Sequence, residues 1–188
     1  MSKINIPNYC KKIISTLKQN GFEGYLVGGC VRDSIMDITP NDYDITTSAT
    51  PDEMLRIFSS FRVIETGLKH GTITVVIEGN NVEITTYRID GEYDDNRHPK
   101  EVSFTRNLSE DLKRRDFTVN ALAFNEEQGL VDLFGGKDDL DNKLIRCVGN
   151  PDKRFNEDGL RVLRALRFAS VLGFEIEENT AKSILKNK

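Results

Sequence analysis

The stretch YLVGGCVRDSIMDITPNDYDITT (residues 25–47) carries the features that indicate the fold and its chemistry. A short apolar strand ends in Gly28-Gly29 and leads into a predicted helix, a geometry that lets backbone N–H groups approach a phosphate closely. A second predicted strand follows, on which Asp42 and Asp44 share one face. Aspartate is depleted in strands and like charges repel, so this pair of carboxylates requires an explanation.

A divalent cation is one explanation for the carboxylate pair. Strand geometry places the two Cα atoms roughly 6–7 Å apart, and carboxylates so placed can bridge one or two Mg²⁺ ions whose charge cancels the repulsion. Arg32 adds a positive charge near the glycine turn, which suits a phosphate. The alternatives are two solvated acids at a strand edge and a plain strand-to-helix turn.

A calcium loop is a further alternative, which we do not favour. The offsets of EF-hand ligands fall on oxygen-bearing residues, namely Asp42, Asp44, Thr46, Ser48, Thr50 and Glu53. However, Thr47 stands where that loop requires glycine, and Pro51 interrupts it.

Hydrophobic periodicity along the rest of the chain predicts an α+β fold. Helices are predicted at 7–21, 31–37, 50–58, 109–116, 151–173 and 178–188, and strands at 24–29, 43–47, 61–66, 71–88 (a hairpin turning at GNN), 121–125 and 130–134. We expect a mixed, mostly antiparallel sheet with helices on one side, and a mobile polar loop over 89–107. The predicted domains are 1–148, which holds the sheet, and 149–188, a helical segment.

Composition limits the classes of protein that fit. The chain has 188 residues, of which 38% are hydrophobic and 30% charged, and apolar runs such as ITVVI (73–77) are far shorter than the roughly 20 residues of a membrane helix. The start lacks the features of a signal peptide, so we expect a cytoplasmic protein. Three Cys and two His without a Cys-x-x-Cys pair argue against zinc and disulfides. Residues 153–188 carry a net charge of +3 in a chain of net −4, so an anionic partner should prefer that segment.

These motifs together carry a family resemblance. LVGG, twelve residues and then DYDI resemble the signature of the nucleotidyltransferase superfamily typified by DNA polymerase β. With ETGLKHGTITVVIEGNNVEITTYR, RRDFTVNALAFN and RFNEDGLRVLRALRF, the match over about residues 22–173 resembles the class II CCA-adding tRNA nucleotidyltransferases and the related bacterial poly(A) polymerases. The resemblance implies a catalytic head over 1–148 and the start of a helical neck over 149–188.

The resemblance also implies a reaction. Asp42 and Asp44 would hold two Mg²⁺ ions while an RNA 3′-hydroxyl attacks the α-phosphate of CTP or ATP and pyrophosphate leaves. Glu83, in the second strand of the hairpin, matches the third carboxylate of the family and could take the hydroxyl proton or support a metal. Without the resemblance, an ordinary solvent-facing strand acid would explain Glu83 equally well.

Several further residues match the nucleotide-binding motifs of the family. The implied set is Gly28, Gly29, Arg32, Arg115, Asp116, Asn120, Asp158, Arg161, Arg164 and Arg167. In RRDFTVNA, the arginine suits phosphate while the carboxylate and the amide suit sugar hydroxyls. Asp158 and Arg161, three apart on one predicted helix face, would pair with the edge of cytosine or adenine. The structural alternatives are a capped helix-to-strand junction and salt bridges along an exposed helix.

The resemblance leaves the specific activity open. The segment YDDNRHP (93–99) resembles the flexible loop with which CCA-adding enzymes switch from C to A addition, and ETGLKHGTITVV (65–76) resembles the CCA-adding form of that strand pair. Class II enzymes continue through a neck, body and tail that bind tRNA, which we expect to be missing here. The tRNA 3′ end is the expected partner. Poly(A) addition, or a nucleotide-binding module that needs a separate neck-body-tail chain, are the alternatives.

Overall fold

A seven-stranded sheet organises the chain in the computed structural model, which describes residues 4–91 and 102–186. The helices are α1 (Asn8–Gln19), α2 (Gly29–Ile35), α3 (Pro51–Ile57), α4 (Leu108–Lys113), α5 (Gly136–Asp141), α6 (Pro151–Glu157), α7 (Leu160–Leu172) and α8 (Glu178–Lys186). The strands are β1 (Gly24–Val27), β2 (Asp44–Thr47), β3 (Arg62–Ile64), β4 (Thr72–Ile77), β5 (Asn80–Thr86), β6 (Arg88–Asp90), β7 (Val102–Phe104), β8 (Leu122–Asn125), β9 (Gly129–Asp132), β10 (Leu144–Ile145) and β11 (Glu175–Ile176). Single 3₁₀ turns lie at Leu68–His70 and Thr118–Asn120.

The strand order of the main sheet is β3-β4-β5-β2-β1-β8-β9. Neighbouring strands run antiparallel except β2 and β5, which pair in parallel. The predicted α+β fold with a mixed, mostly antiparallel sheet is therefore confirmed. Because the parallel pair lies at the centre of the sheet, residues from the carboxylate motif and from the hairpin become neighbours.

The two faces of the sheet pack against different helices. On β1, Leu26 points into the larger hydrophobic cluster, which includes Leu17 of α1. Tyr25 and Val27 point the other way and join a smaller cluster with Leu112 of α4. This alternation follows from the two-residue period of a strand and leaves β1 buried on both faces. Most of the apolar core lies on the first face, and α4 covers part of the second.

Local sequence signals explain the elements next to the site. Helix α3 begins with a capping box, in which Thr50 accepts from the N–H of Glu53 and the Glu53 carboxylate accepts from the N–H of Thr50. The β4–β5 hairpin turns at Glu78 and Gly79, whose φ angles are 51° and 78°, as a tight two-residue turn requires. The predicted hairpin is present, and its turn begins one residue before the predicted GNN.

The predicted long helix at 151–173 is wrong in one respect, because it is divided into α6 and α7. Asp158 has an extended backbone (φ −146°, ψ 105°), and its carboxylate accepts from the N–H of Leu160 at 2.9 Å. Asp158 therefore ends one helix and caps the next. Phe155 and Ala165 belong to the same buried cluster as the sheet, and the domain boundary at 148/149 stays a prediction.

The predicted loop at 89–107 is also partly wrong. Its two ends form strands β6 and β7, which pair antiparallel with Ile89 opposite Ser103. This pairing was missed because each strand has only three residues and shows no readable alternation. Residues 92–101, including the YDDNRHP segment, lie outside the described residues.

The three cysteines, Cys10, Cys30 and Cys147, are buried free thiols. Burial raises the pKa of Cys10 and of Cys147 to about 12, so both remain protonated at neutral pH and are poor nucleophiles. Within the described part of the chain, each helix is either too short or too polar to cross a membrane.

Candidate active site

Three carboxylates lie on one exposed face of the sheet, at its parallel pair of strands. Asp44 is the first residue of β2, and Asp42 comes just before the strand rather than within it as predicted. Glu83 on β5 lies directly opposite Asp44 in the register. All three side chains are exposed, whereas Ile45 and Ile84, the next pair along the strands, are buried. The structure therefore brings together the two aspartates and the more distant Glu83.

The electrostatics of Asp44 reflect this crowding. Its pKa is raised from the usual value, first because surrounding protein atoms remove part of its hydration and next because Glu83 is negatively charged nearby. The charge of Asp42 raises this pKa further, while the positive charge of Arg115 opposes the rise. The site thus concentrates negative charge beside one arginine, which is an environment that attracts a cation.

The donor set fits a Mg²⁺ site that is completed by a substrate. Among residues 4–91 and 102–186, no group of three or more His, Cys, Asp or Glu side chains is arranged to hold a metal ion. Mg²⁺, however, is commonly bound through only one or two carboxylates, with water and substrate phosphates as the other ligands. Asp42 and Asp44 can supply those carboxylates.

The calcium-loop alternative is contradicted by the fold. Thr46 is buried, and its hydroxyl donates to the Asp111 carboxylate at 3.1 Å. Glu53 is used in the capping box and in an ion pair with Arg106 at 2.9 Å. With Thr50 in the same capping box and the Ser48 hydroxyl accepting from the N–H of Glu23, four of the six offsets are occupied by structural bonds.

The Gly28-Gly29 turn lies next to this face and depends on glycine. Gly28 has φ 76° and ψ −129°, a region that side-chain-bearing residues rarely adopt. A Cβ atom on Gly28 would lie 3.3 Å from the Nη1 atom of Arg115, which is closer than ordinary contact. Glycine thus allows the chain to turn and the guanidinium of Arg115 to approach the turn.

Gly28→Ala should destabilise the fold by about 1–3 kcal/mol, because the backbone conformation is strained for alanine. It should also weaken the CTP binding that the sequence predicts, because the new methyl displaces Arg115. Gly129→Ala is the matched control, since Gly129 also has positive φ (74°) but a Cβ there would meet nothing within 4 Å. Urea unfolding and CTP titration of both variants measure the two effects. Equal CTP affinity in the two variants would contradict the role of the contact.

Four of the other predicted nucleotide-binding residues form one polar network in which each group bonds the next. Arg32 donates to the Oδ1 atom of Asn120 at 2.7 Å, and the Asn120 amide donates to Asp116 at 3.3 Å. Asp116 in turn accepts from the Nε atom of Arg164 at 2.8 Å. Both Arg32 and Arg164 lie over the ring of Phe168, each 5.3 Å from its centroid. The network links three sequence motifs, although the role of its members toward a nucleotide stays a prediction.

Asp158 and Arg161 do not share a helix face as predicted, because Asp158 lies at the break between α6 and α7. Arg161 is only 8% exposed, and it donates to the Glu157 carboxylate at 2.8 Å and to the carbonyl oxygen of Arg114 at 3.1 Å. Asp158 is half-buried and Arg167 is exposed. The structure thus places Arg161 in the support of α7 and leaves Asp158 the more accessible of the pair.

Sequence reasoning missed two acids that hold these arginines. Asp111 is fully buried against Arg114 and Arg115, and Glu157 bridges Arg154 and Arg161. The available signal was their spacing, since each acid lies three and four residues from its two arginines. That pattern usually indicates an exposed helix face, which is why it did not stand out.

An exposed carboxylate group beside a Gly-Gly turn, on a mixed and mostly antiparallel sheet, is typical of the nucleotidyltransferase fold. The chain belongs to the poly A polymerase head domain family, whose model matches residues 24–146.

Individual relatives are more specific. The chain is 54% identical over 172 residues to the CCA-adding enzyme of Oceanobacillus iheyensis, which covers 92% of this chain and 42% of that relative. It is similar to the crystal structure of the Bacillus stearothermophilus CCA-adding enzyme in complex with CTP, with a TM-score of 0.87 and 42% identity. This match covers 97% of this chain and 44% of that enzyme. A tRNA nucleotidyltransferase complexed with a primer tRNA and an incoming ATP analog gives a TM-score of 0.72, 32% identity and coverage of 93% and 49%. The chain thus spans less than half the length of these relatives.

Proposed function

We propose that the chain is the catalytic part of a CCA-adding enzyme, which transfers CMP and AMP from CTP and ATP to the 3′ end of tRNA and releases pyrophosphate. The observation that carries the proposal is the register of Asp44 against Glu83, with Asp42 beside them, next to the glycine turn and Arg115. The relatives named above support the choice of substrates, because one was solved with CTP and another with a primer tRNA and an ATP analog.

The carboxylates have distinct proposed roles. Asp42 and Asp44 would hold two Mg²⁺ ions, which would supply charge neutralisation at the triphosphate and favour ionisation of the attacking 3′-hydroxyl. Glu83 supports this ligand set from the neighbouring strand or accepts the hydroxyl proton. The pKa of Asp44 is raised, first by partial loss of hydration and next by the charge of Glu83. A bound cation would favour the ionised form of this carboxylate.

The nucleotide is proposed to lie between the glycine turn and α7. Arg115 and the Gly28-Gly29 backbone bind the triphosphate, and Asp116 and Asn120 bind the ribose hydroxyls. The set that reads or supports the base is Asp158, Arg161, Arg164 and Arg167. Arg161 already donates to the Glu157 carboxylate and to the carbonyl oxygens of Arg154 and Arg114, so its pairing with a base competes with these bonds.

The domain arrangement is part of the proposal. Residues 1–148 form the catalytic head, and residues 149–188 form the start of a helical neck. The family model ends at residue 146, which supports a boundary near that point.

Nucleotide-resolved extension tests the function. A tRNA that lacks its terminal CCA is incubated with the protein, Mg²⁺ and CTP alone, ATP alone or both. We expect two added nucleotides with CTP, none with ATP and three with both, and no addition from GTP or UTP. Incorporation only after a neck-body-tail chain is added would identify a module that depends on that chain, and absence of any incorporation with or without it would refute the proposal.

Poly(A) addition is the second candidate, because the matching family model is that of the poly A polymerase head domain. The same assay separates the two activities. Long A tails of unlimited length with ATP alone would show that the activity is poly(A) addition rather than CCA addition.

A further inference from the structure

We propose that Asp111 is a positioning residue, which fixes the guanidinium of Arg115 beside the glycine turn and ties it to the strand that carries Asp44. This inference rests on the proposed function, because it assigns Arg115 to the triphosphate. Asp111 is not one of the carboxylates predicted to take part in the chemistry, and it contacts β2 through Thr46, on the same face as Asp44.

Asp111 is a buried and fully bonded carboxylate. It has 0% exposure, and each oxygen accepts from two donors. Oδ1 accepts from Arg114 Nε at 2.9 Å and from the backbone N–H of Arg88 at 3.3 Å. Oδ2 accepts from Thr46 Oγ1 at 3.1 Å and from Arg115 Nη2 at 3.2 Å. A carboxylate in this position joins α4, β2 and the start of β6.

The charge state of Asp111 follows from its partners. Burial acts to raise its pKa, but the positive charges of Arg114 and Arg115 and the bonds from Arg114 and the Arg88 backbone outweigh burial and lower it. Asp111 is therefore ionised at neutral pH. An ionised buried acid holds its arginines strongly, since loss of one partner would leave an uncompensated charge.

The bonds of Arg115 show what Asp111 controls. Its Nη2 atom is held by Asp111, while its Nη1 atom is the one that lies 3.3 Å from the Cβ position of Gly28. Its Nε atom is buried without a hydrogen-bond partner among the described residues. One ion pair thus orients the guanidinium beside the glycine turn.

The route from Asp111 to the reacting face is short. Thr46, which donates to Asp111, is two residues after Asp44 on β2. Strand alternation places the side chains of Thr46 and Asp44 on the same face of β2. The bond from Thr46 to Asp111 therefore fixes the position of Arg115 relative to the carboxylate pair. We infer that Asp111 sets the position of a positive charge that suits a triphosphate beside Asp42 and Asp44.

A double-mutant cycle on equilibrium CTP binding tests this role. Asp111→Asn retains the shape but removes the charge, and we expect the Kd for CTP to rise about 10–100-fold, in line with the strength of hydrogen bonds to charged groups. In an Arg115→Ala background, Asp111→Asn should change the Kd by less than about twofold, because the residue that it positions is gone. An equal rise in both backgrounds would mean a structural effect only and would overturn the inference.

Two further variants keep the test decisive. Glu53→Gln breaks an acid–arginine ion pair elsewhere, with Arg106, and should leave CTP binding unchanged. Thr46→Val removes the hydroxyl that donates to Asp111 and also lies 3.3 Å from the carbonyl oxygen of Thr85. It leaves Asp111 and Arg115 in place and should raise the Kd by severalfold, and it serves if Asp111→Asn does not fold. Unchanged CTP affinity in folded Thr46→Val would then overturn the inference.

The proposed function fails separately. Wild-type protein that binds CTP in an Asp111-dependent way but extends no tRNA would refute nucleotidyl transfer and leave the positioning role standing. Wild-type protein that extends tRNA while Asp111→Asn binds CTP normally would refute the positioning role and leave the proposed function standing.

Discussion

Replacing Asp44 by asparagine is expected to lower nucleotide incorporation by at least about a thousandfold and to stabilise the metal-free fold at neutral pH. Loss of one proposed metal ligand would remove several kcal/mol of transition-state stabilisation, and each 1.36 kcal/mol is a factor of ten in rate. The stability gain has a different cause. Asp44 loses part of its hydration in the folded chain and lies near the negative charges of Glu83 and Asp42, so its ionised form is disfavoured there.

The pH dependence of this stability gain follows from the raised pKa. In the unfolded chain, Asp44 ionises near its usual value of 3.8, whereas in the folded chain it ionises at a higher pH. Wild-type protein therefore loses stability as the pH rises from the unfolded pKa through the folded pKa, and the loss persists above it. Asparagine cannot ionise, so the advantage of Asp44→Asn should be absent below pH 3.8 and fully present at pH 7.

Urea unfolding in a chelator at both pH values and primer extension in Mg²⁺ measure the two effects. Asp52→Asn is the control, because Asp52 is an exposed acid in the first turn of α3, away from the carboxylate face. It should retain incorporation and gain no stability. Retained incorporation in Asp44→Asn, or a variant less stable than wild type at pH 7, would contradict the assignment of this face.

The carboxylate pair and Glu83 show which parts of the site can be predicted from the sequence. The apolar alternation around 25–47 and 71–88 predicts the strands, and so both ends of the site, because strand period and turn signals are local. The pairing of β2 with β5 is not local. It is the parallel register of Asp44 with Glu83 that converts two separate acidic positions into one site, and only the packing of the sheet determines it.

The arginines show where sequence reading ends. Helical periodicity continues through residues 151–173, so nothing in the pattern alone reports the break at Asp158. Arg161 was predicted to face a base, yet its bonds to Glu157 and to the carbonyl of Arg114 bury it. Asp111 was overlooked for the same reason, because its partner Thr46 comes from a strand 65 residues away in sequence. Tertiary contacts of this kind override helix-face arguments.

Asp158→Ala should abolish the preference for CTP and ATP over GTP and UTP, with incorporation of C and A falling about a hundredfold. A carboxylate that accepts from the exocyclic amine of cytosine or adenine favours those bases and disfavours bases that present a carbonyl there, and sites built on such bonds discriminate strongly. The same carboxylate caps α7 through Leu160, so the variant should also lose about 1 kcal/mol of stability.

Asn150→Ala separates the two consequences of losing Asp158. Asn150 caps α6 in the same manner, with its side-chain oxygen accepting from the N–H of Lys153 at 3.0 Å. It should therefore show a similar loss of stability in urea unfolding but normal nucleotide preference in primer extension with each of the four triphosphates. If Asn150→Ala and Asp158→Ala have the same nucleotide preference as wild type, Asp158 serves only as a helix cap. Base selection must then come from other residues, because a cap alone carries no information about the base.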